Sequence, residues 1–168
     1  DFHEALNFAA VFRAPVIFFV QNNKYAISVP LSKQTKAPSL AYKGIGYGSP
    51  SEQVDGNDAA AVAAVMDAAL ERARSGGGPT LLELHTYRMD AHTNADDATR
   101  YREDSEVEGW VAKDPIVRLE RYLLSQGLLD EAAVEAIHAE GEEQSARLRE
   151  RMNADVQHDP LELFEHVF

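Results

Sequence analysis

The sequence contains no cysteine. Disulfides, thiol nucleophiles and thiolate metal ligands are therefore excluded as the basis of its chemistry; the absence does not fix a compartment, though it is compatible with the cytoplasm. Long apolar runs are missing too. The longest, Pro15-Val16-Ile17-Phe18-Phe19-Val20, falls far short of the ~20 residues that a bilayer-spanning helix needs. Basic residues are scarce, with 16 Lys and Arg against 28 Asp and Glu. The formal charge of −12 at pH 7 disfavours attraction to nucleic acid or to an anionic lipid surface. No internal repeat and no sustained heptad is present. The glycine cluster Gly44-Ile45-Gly46-Tyr47-Gly48 has no strand before it and no helix directly after, so it fails the context of a dinucleotide loop. Gly76-Gly77-Gly78 follows a helical pattern, and neither cluster carries the Lys-Ser/Thr of a P-loop.

What is present suits one compact domain, or one domain with an appendage: 168 residues, 45% hydrophobic and 26% charged. Phe2, Ala5, Leu6, Ala9 and Phe12 recur at helical steps, so Asp1 to Ala14 reads as a helix closed by Pro15. Val16 to Val20 is a β-branched and aromatic run of the kind buried on both faces of a parallel sheet. Ser28 to Pro50 reads as loop with one short helix near Ser39 to Gly44. Gln53 to Asp58 reads as a strand end and turn, with Asp58 capping an alanine-rich helix over Ala59 to Arg74. Thr80 to Leu84 is a second buried strand running on to Tyr87. From Asp104 onward the pattern is helical, with Asp114 and Asp130 as candidate caps and a long charged helix from Asp130 to Met152. Its acids, including Glu140 to Glu143, read as solvated faces. The tail from Pro160 to Phe168 is apolar enough to dock. The expected architecture is α/β: a mostly parallel sheet with helices on both faces over residues 1–103, then a helical C-terminal extension over residues 104–168.

Ligands in such sheets bind beyond the carboxyl ends of the strands. Two polar segments fall there, Gln21 to Ser28 and Arg88 to Arg102. Asn22-Asn23-Lys24-Tyr25 reads in two ways: as a plain Asn-rich turn, or as a source of neutral hard oxygens suited to Mg²⁺ when a diphosphate brings the negative charge. In the second segment, His92 is a candidate phosphate donor or proton shuttle. Arg88 is a candidate partner for Asp96 or Asp97 in ordering the loop. The bland alternative is an exposed loop whose charges are only solvated. Asp90, His92, Asp96 and Asp97 lack the regular spacing of a metal cluster.

These segments together resemble one family. Asp1 to Ala10, Phe18 to Ser28, Val54-Asp55-Gly56-Asn57-Asp58, Thr86-Tyr87-Arg88 through His92 to Asp97, and Arg100-Tyr101-Arg102 occur in the order found in the alpha subunit of the decarboxylating component of 2-oxo acid dehydrogenase complexes. The resemblance covers nearly the whole chain. It implies the C-terminal part of a thiamine-diphosphate-binding fold, with thiamine diphosphate and Mg²⁺ as cofactors. The family's Gly-Asp/Glu-Gly motif, which carries an acidic metal ligand, is expected just ahead of Asp1, so that this stretch is N-terminally truncated and inactive when isolated.

The resemblance further implies that the Asn23 side chain and the Tyr25 carbonyl bind the metal. Gln21, Asn23, Tyr25, Ile27 and His92 line the cofactor, and His92 and Arg88 serve catalysis. Gln21 stands where animal branched-chain members carry Arg, which lowers the local positive charge. Thr93 stands where mitochondrial members carry a regulatory Ser. The implied reaction is oxidative decarboxylation of a 2-oxo acid, branched-chain favoured over pyruvate, with transfer of the acyl unit to a lipoyl group. The implied partners are a beta subunit in an α2β2 assembly and a lipoyl-bearing acyltransferase. The competing expectation is a non-catalytic α/β assembly or binding module with an incomplete cofactor site.

Overall fold

The run Thr80–His85 occupies the middle of a three-stranded parallel sheet. In the computed structural model, which describes residues 1–154, 159–165 and 167, the elements are α1 (Phe2–Phe12), β1 (Ile17–Asn22), β2 (Tyr25–Ala26), β3 (Val29–Pro30), α2 (Tyr42–Gly46), β4 (Ser51–Asp55), α3 (Ala59–Arg74), β5 (Thr80–His85), α4 (Asp104–Val111), α5 (Pro115–Ser125) and α6 (Glu131–Asn153). The sheet order is β1-β5-β4, with Ile17 opposite Thr80 and Ser51 opposite Leu81. β2 and β3 form a separate antiparallel hairpin.

Alternation along β5 decides what each face meets. Leu81 packs with Leu6 of α1 and Ala41, and with Phe18, Val20 and Tyr47 around them. Leu82 and Leu84 point the other way, onto Ala69, Val62, Val65 and Met66 of α3 and onto Ile17 and Val54. Helices therefore cover both faces, as the strand-helix-strand pattern implies. β1 is less enclosed than its composition suggests. Phe19 is 49% exposed because β1 is an edge of this sheet, whereas central β5 is buried almost throughout.

Local chemistry sets the helix ends. The Asp58 carboxylate accepts from Ala61 N at 3.0 Å and opens α3. Gly76 at φ 76 follows its last turn, a left-handed position that glycine takes without strain. Asp114 accepts from Ile116 N and Val117 N, and Asp130 from Ala133 N, so both expected caps form.

The chain divides into two compact units, Asp1–Tyr122 and Leu123–Phe168. The division falls later than residue 103 because the side chains of α4 and early α5 join the first unit. Trp110 stacks on Tyr87 with centroids 5.1 Å apart, and Arg118 pairs with Asp55 at 2.9 Å and Asp58 at 3.3 Å. Within the second unit α6 is largely exposed. In the apolar tail Leu161, Leu163 and Phe164 are exposed, while His166 and Phe168 lie outside the described residues.

Leu82, only 1% exposed, fills the α3 side of the sheet. Leu82→Ala is expected to destabilise the fold by about 2–5 kcal/mol, read as a lower urea midpoint. Leu128→Ala, at a position 71% exposed, should stay within about 0.5 kcal/mol. Equal midpoints for the two variants would contradict this account of the core.

Candidate functional site

Three strand ends converge at one edge of the sheet. Beyond β1 and β5 the pairing continues into the loops, with Thr86 N donating to Asn22 O at 3.0 Å and Arg88 N to Asn23 O at 3.4 Å. After β4, Gly56 N donates to His85 O at 2.8 Å. A Cβ at Gly56 would sit 2.6 Å from Thr86 Cγ2 and 2.9 Å from His85 O, so the approach of these segments depends on a glycine there. The two polar segments found in the sequence thus leave the sheet side by side.

Asn22 is buried, and its Nδ2 donates to the Glu83 carboxylate at 2.7 Å. Its Oδ1 accepts from Lys24 N at 3.1 Å, which helps hold Lys24 in left-handed backbone at φ 73. Beyond it, Asn23 Oδ1 accepts from Tyr25 N at 3.2 Å. Tyr25 lies opposite Pro30, while Ala26 faces Val29 and Lys24 O accepts from Leu31 N at 2.8 Å. In an antiparallel ladder this alternation turns the Tyr25 N–H and C=O away from β3. Among the described residues no hydrogen bond reaches the Tyr25 carbonyl. Asn23 Oδ1, which has a second lone pair, and this free carbonyl are two neutral oxygens on one turn. They fit a hard divalent cation whose remaining ligands and negative charge come from elsewhere. No group of three or more acidic, His or Cys side chains able to hold a metal occurs among the described residues.

Arg88 locks the second loop against this turn. Its Nη2 donates to Ile27 O at 2.7 Å and to the Tyr101 hydroxyl at 3.2 Å, and its Nε to Asp90 O at 3.3 Å. Ile27 has φ 56, unusual for a β-branched residue, at the first central position of the hairpin turn. The expected pairing of Arg88 with an acid takes a different form. Asp96 is reached through the Tyr101 hydroxyl, which donates to it at 2.5 Å, and Asp97 instead accepts from Thr99. The bond from Tyr101 first, then that from His92 N at 2.9 Å, holds the Asp96 carboxyl below its ordinary range.

His92 is exposed at the surface of this loop, followed by exposed Thr93. Gln21 is also exposed and lines a cavity of about 250 Å³ with Gly56, Asn57, Thr86, Tyr87 and Trp110. The lining of that cavity includes neither Asn23 nor His92. The structure joins their two loops through Arg88 and the backbone; no direct bond between those two side chains is formed.

Several participants carried no motif in the sequence. Glu83 is 1% exposed and stands in the apolar run of β5. Besides Asn22, it accepts from Ser39 Oγ, from Ala41 N at 3.0 Å and from Gln53 Nε2 at 3.2 Å, and its Oε1 lies 3.2 Å from His85 Nε2, which Gln53 Nε2 also meets. Burial alone would raise its pKa, but the bonds from Ser39, Asn22 and Ala41 N and the nearby His85 outweigh it and hold the carboxyl at about 2. Lys24 Nζ meets His85 Nδ1 at 2.7 Å; burial lowers the pKa of this ammonium, and the charge of Glu83 opposes that. Arg102, 8% exposed, clamps the second loop by donating to the carbonyls of Arg88 and Met89 while lying over the Tyr87 ring. A lone acid within a strand of leucines is the signal by which Glu83 could have been found. Nothing comparable marked Arg102.

A family model, dehydrogenase E1 component, matches residues 1–160. The chain belongs to the dehydrogenase E1 component family. It is 51% identical over all 168 residues to the 3-methyl-2-oxobutanoate dehydrogenase subunit alpha of Mycobacterium tuberculosis, covering 46% of that protein. It is 53% identical over 132 residues, 78% of this chain, to the pyruvate dehydrogenase E1 component subunit alpha of Staphylococcus aureus, covering 36% of that one. The chain thus spans less than half the length of these curated relatives. The E1 family is thiamine-diphosphate-dependent.

The buried carboxylate sets a pH dependence. The folded-state value of Glu83, about 2, lies below its ordinary 4.5. The stability supplied by the ionised group is therefore full above pH 4.5 and is lost as pH falls towards about 2. Urea midpoints measured across this range are expected to fall more steeply for the natural sequence than for Glu83→Gln. Parallel curves would remove Glu83 as the cause.

Proposed function

We propose that this E1 chain holds the Mg²⁺-diphosphate end of thiamine diphosphate in an enzyme that oxidatively decarboxylates a 2-oxo acid and passes the acyl unit to a lipoyl group. The observation that carries this reading is the pair of oxygens on one turn, Asn23 Oδ1 and the unpartnered Tyr25 carbonyl, at the carboxyl edge of a parallel sheet. A branched-chain 2-oxo acid is favoured over pyruvate because the relative matched over the full chain is named for 3-methyl-2-oxobutanoate, whereas the pyruvate-named relative matches 78% of it.

Each residue has a task within this reading. The Asn23 oxygen and the Tyr25 carbonyl coordinate the metal. Gln21 offers an amide to the diphosphate, a neutral donor in place of a cation. Ile27 presents an apolar side chain from the turn that Arg88 secures. Arg88 keeps the His92 loop in register with that turn, so that His92 can donate to the diphosphate and move a proton during transfer to the lipoyl arm. The chemistry supplied by the bound cofactor is an electron sink for the pair left when CO₂ departs; placement and electrostatics are the protein's share. A beta subunit in an α2β2 assembly, a lipoyl-bearing acyltransferase and a cytoplasmic location complete the proposal.

Two variants of the intact protein, assembled with its beta subunit, test it. Asn23→Ala is expected to raise the Mg²⁺ concentration for half-maximal activity by about tenfold, the scale of 1.4 kcal/mol. An unchanged Mg²⁺ requirement would sink the metal assignment. His92→Ala is expected to slow lipoyl-dependent turnover by about a hundredfold, with decarboxylation assayed through an artificial electron acceptor affected far less. Normal lipoyl-dependent turnover in that variant would refute the role given to His92.

A further inference from the structure

We infer that Glu83 is the positioning residue for the oxygen-bearing turn at 22–25, an inference that rests on the reading of that turn as the cofactor end. Asn23, the proposed ligand, sits between two residues that both lead back to this one carboxylate. On one side, Asn22 Nδ2 donates to Glu83 Oε1 at 2.7 Å. On the other, the Lys24 ammonium meets His85 Nδ1 at 2.7 Å. The other nitrogen of that ring, Nε2, lies 3.2 Å from the same Oε1 and also meets Gln53 Nε2, so the ring bridges Lys24 to the Glu83 cluster. The two arms are cross-linked by the bond from Lys24 N to Asn22 Oδ1 at 3.1 Å. Left-handed Lys24, whose φ of 73 sets the relative directions of the Asn23 side chain and the Tyr25 carbonyl, is thus held at both its backbone and its side chain.

The other oxygen anchors the carboxylate itself. Glu83 Oε2 accepts from Ser39 Oγ, Ala41 N and Gln53 Nε2, which come from the covering segment and from β4. Every one of these partners presents a donor, so the position calls for a group with acceptors only. A glutamine would turn its NH₂ towards donors on one side, and at 1% exposure no solvent could repair the mismatch. The consequence for function is transmitted rather than direct: Glu83 touches neither proposed ligand oxygen, but it fixes both neighbours of Asn23. Partners that orient a ligand from behind typically change metal affinity when removed.

The test uses the full-length protein assembled with its beta subunit. Thiamine diphosphate is titrated calorimetrically at a series of Mg²⁺ concentrations, well below the melting temperature of each variant. Glu83→Gln is expected to raise the Mg²⁺ concentration for half-saturation by about 10–100-fold, with turnover recovering as Mg²⁺ is raised. A purely structural role would lower the melting temperature and leave the Mg²⁺ dependence of the folded protein unchanged; that result overturns the inference. Should Glu83→Gln fail to fold, His85→Leu cuts only the Lys24 arm and is expected to shift half-saturation in the same direction by about tenfold. No shift there overturns the inference equally. If the unsubstituted protein binds thiamine diphosphate without any Mg²⁺ dependence, the reading of the turn falls and this inference with it. If Asn23→Ala shifts the Mg²⁺ dependence while Glu83→Gln does not, the reading stands and the inference alone fails.

Discussion

A carboxylate shut inside a sheet must be met by donors, and much of this site is arranged around that requirement. The groups gathered on Glu83 come from the end of β1, from the segment before α2, from β4 and from β5 itself. Apolar packing on the two faces of the sheet is unspecific about the exact height of one strand against another. The polar cluster is specific, because shifting any one segment would strand a buried charge. The strand tips and the turn they carry are therefore placed by hydrogen bonds more than by the hydrophobic core beneath them.

The second loop depends on the turn in a different manner. Arg88 spends its donors on the Ile27 carbonyl, the Asp90 carbonyl and a tyrosine hydroxyl, while Arg102 holds the carbonyls of Arg88 and Met89. A β-branched residue in left-handed backbone costs about 1–3 kcal/mol and persists only when its surroundings hold it there. Ile27 meets that condition through a charge-assisted bond to its carbonyl. Turn and loop are in this sense one ordered unit.

Much of the fold was legible in the sequence because it obeys periodic rules. The strands near residues 16–20 and 80–84, the alanine-rich helix with its Asp58 cap and the glycine stop all appear within a residue or two of where pattern places them, although the first is an edge and less buried than its composition suggests. β1 runs on to Asn22, because Gln21 and Asn22 continue the parallel ladder although neither is a strand former. The convergence of residues 21–27 with the 88–102 loop followed from topology, since parallel strands deliver their ends to the same edge. What escaped was non-local. Nothing in the spacing of Arg88 shows that it would bond the Ile27 carbonyl instead of an aspartate, and nothing near Trp110 shows that it would lie flat on Tyr87. Such contacts depend on which segments the fold brings together, and sequence separation does not encode that.

The stack of Tyr87 and Trp110 has an optical consequence. Trp110 is the only indole in this sequence; its ring lies 4° from parallel with a phenol at the root of the His92 loop, and the Lys113 ammonium sits 4.7 Å from its centroid. An indole so placed responds to both ring contact and the electric field of the adjacent charge. Its emission wavelength and intensity thus make a built-in gauge of whether the root of that loop keeps its seat, without any label attached to the chain.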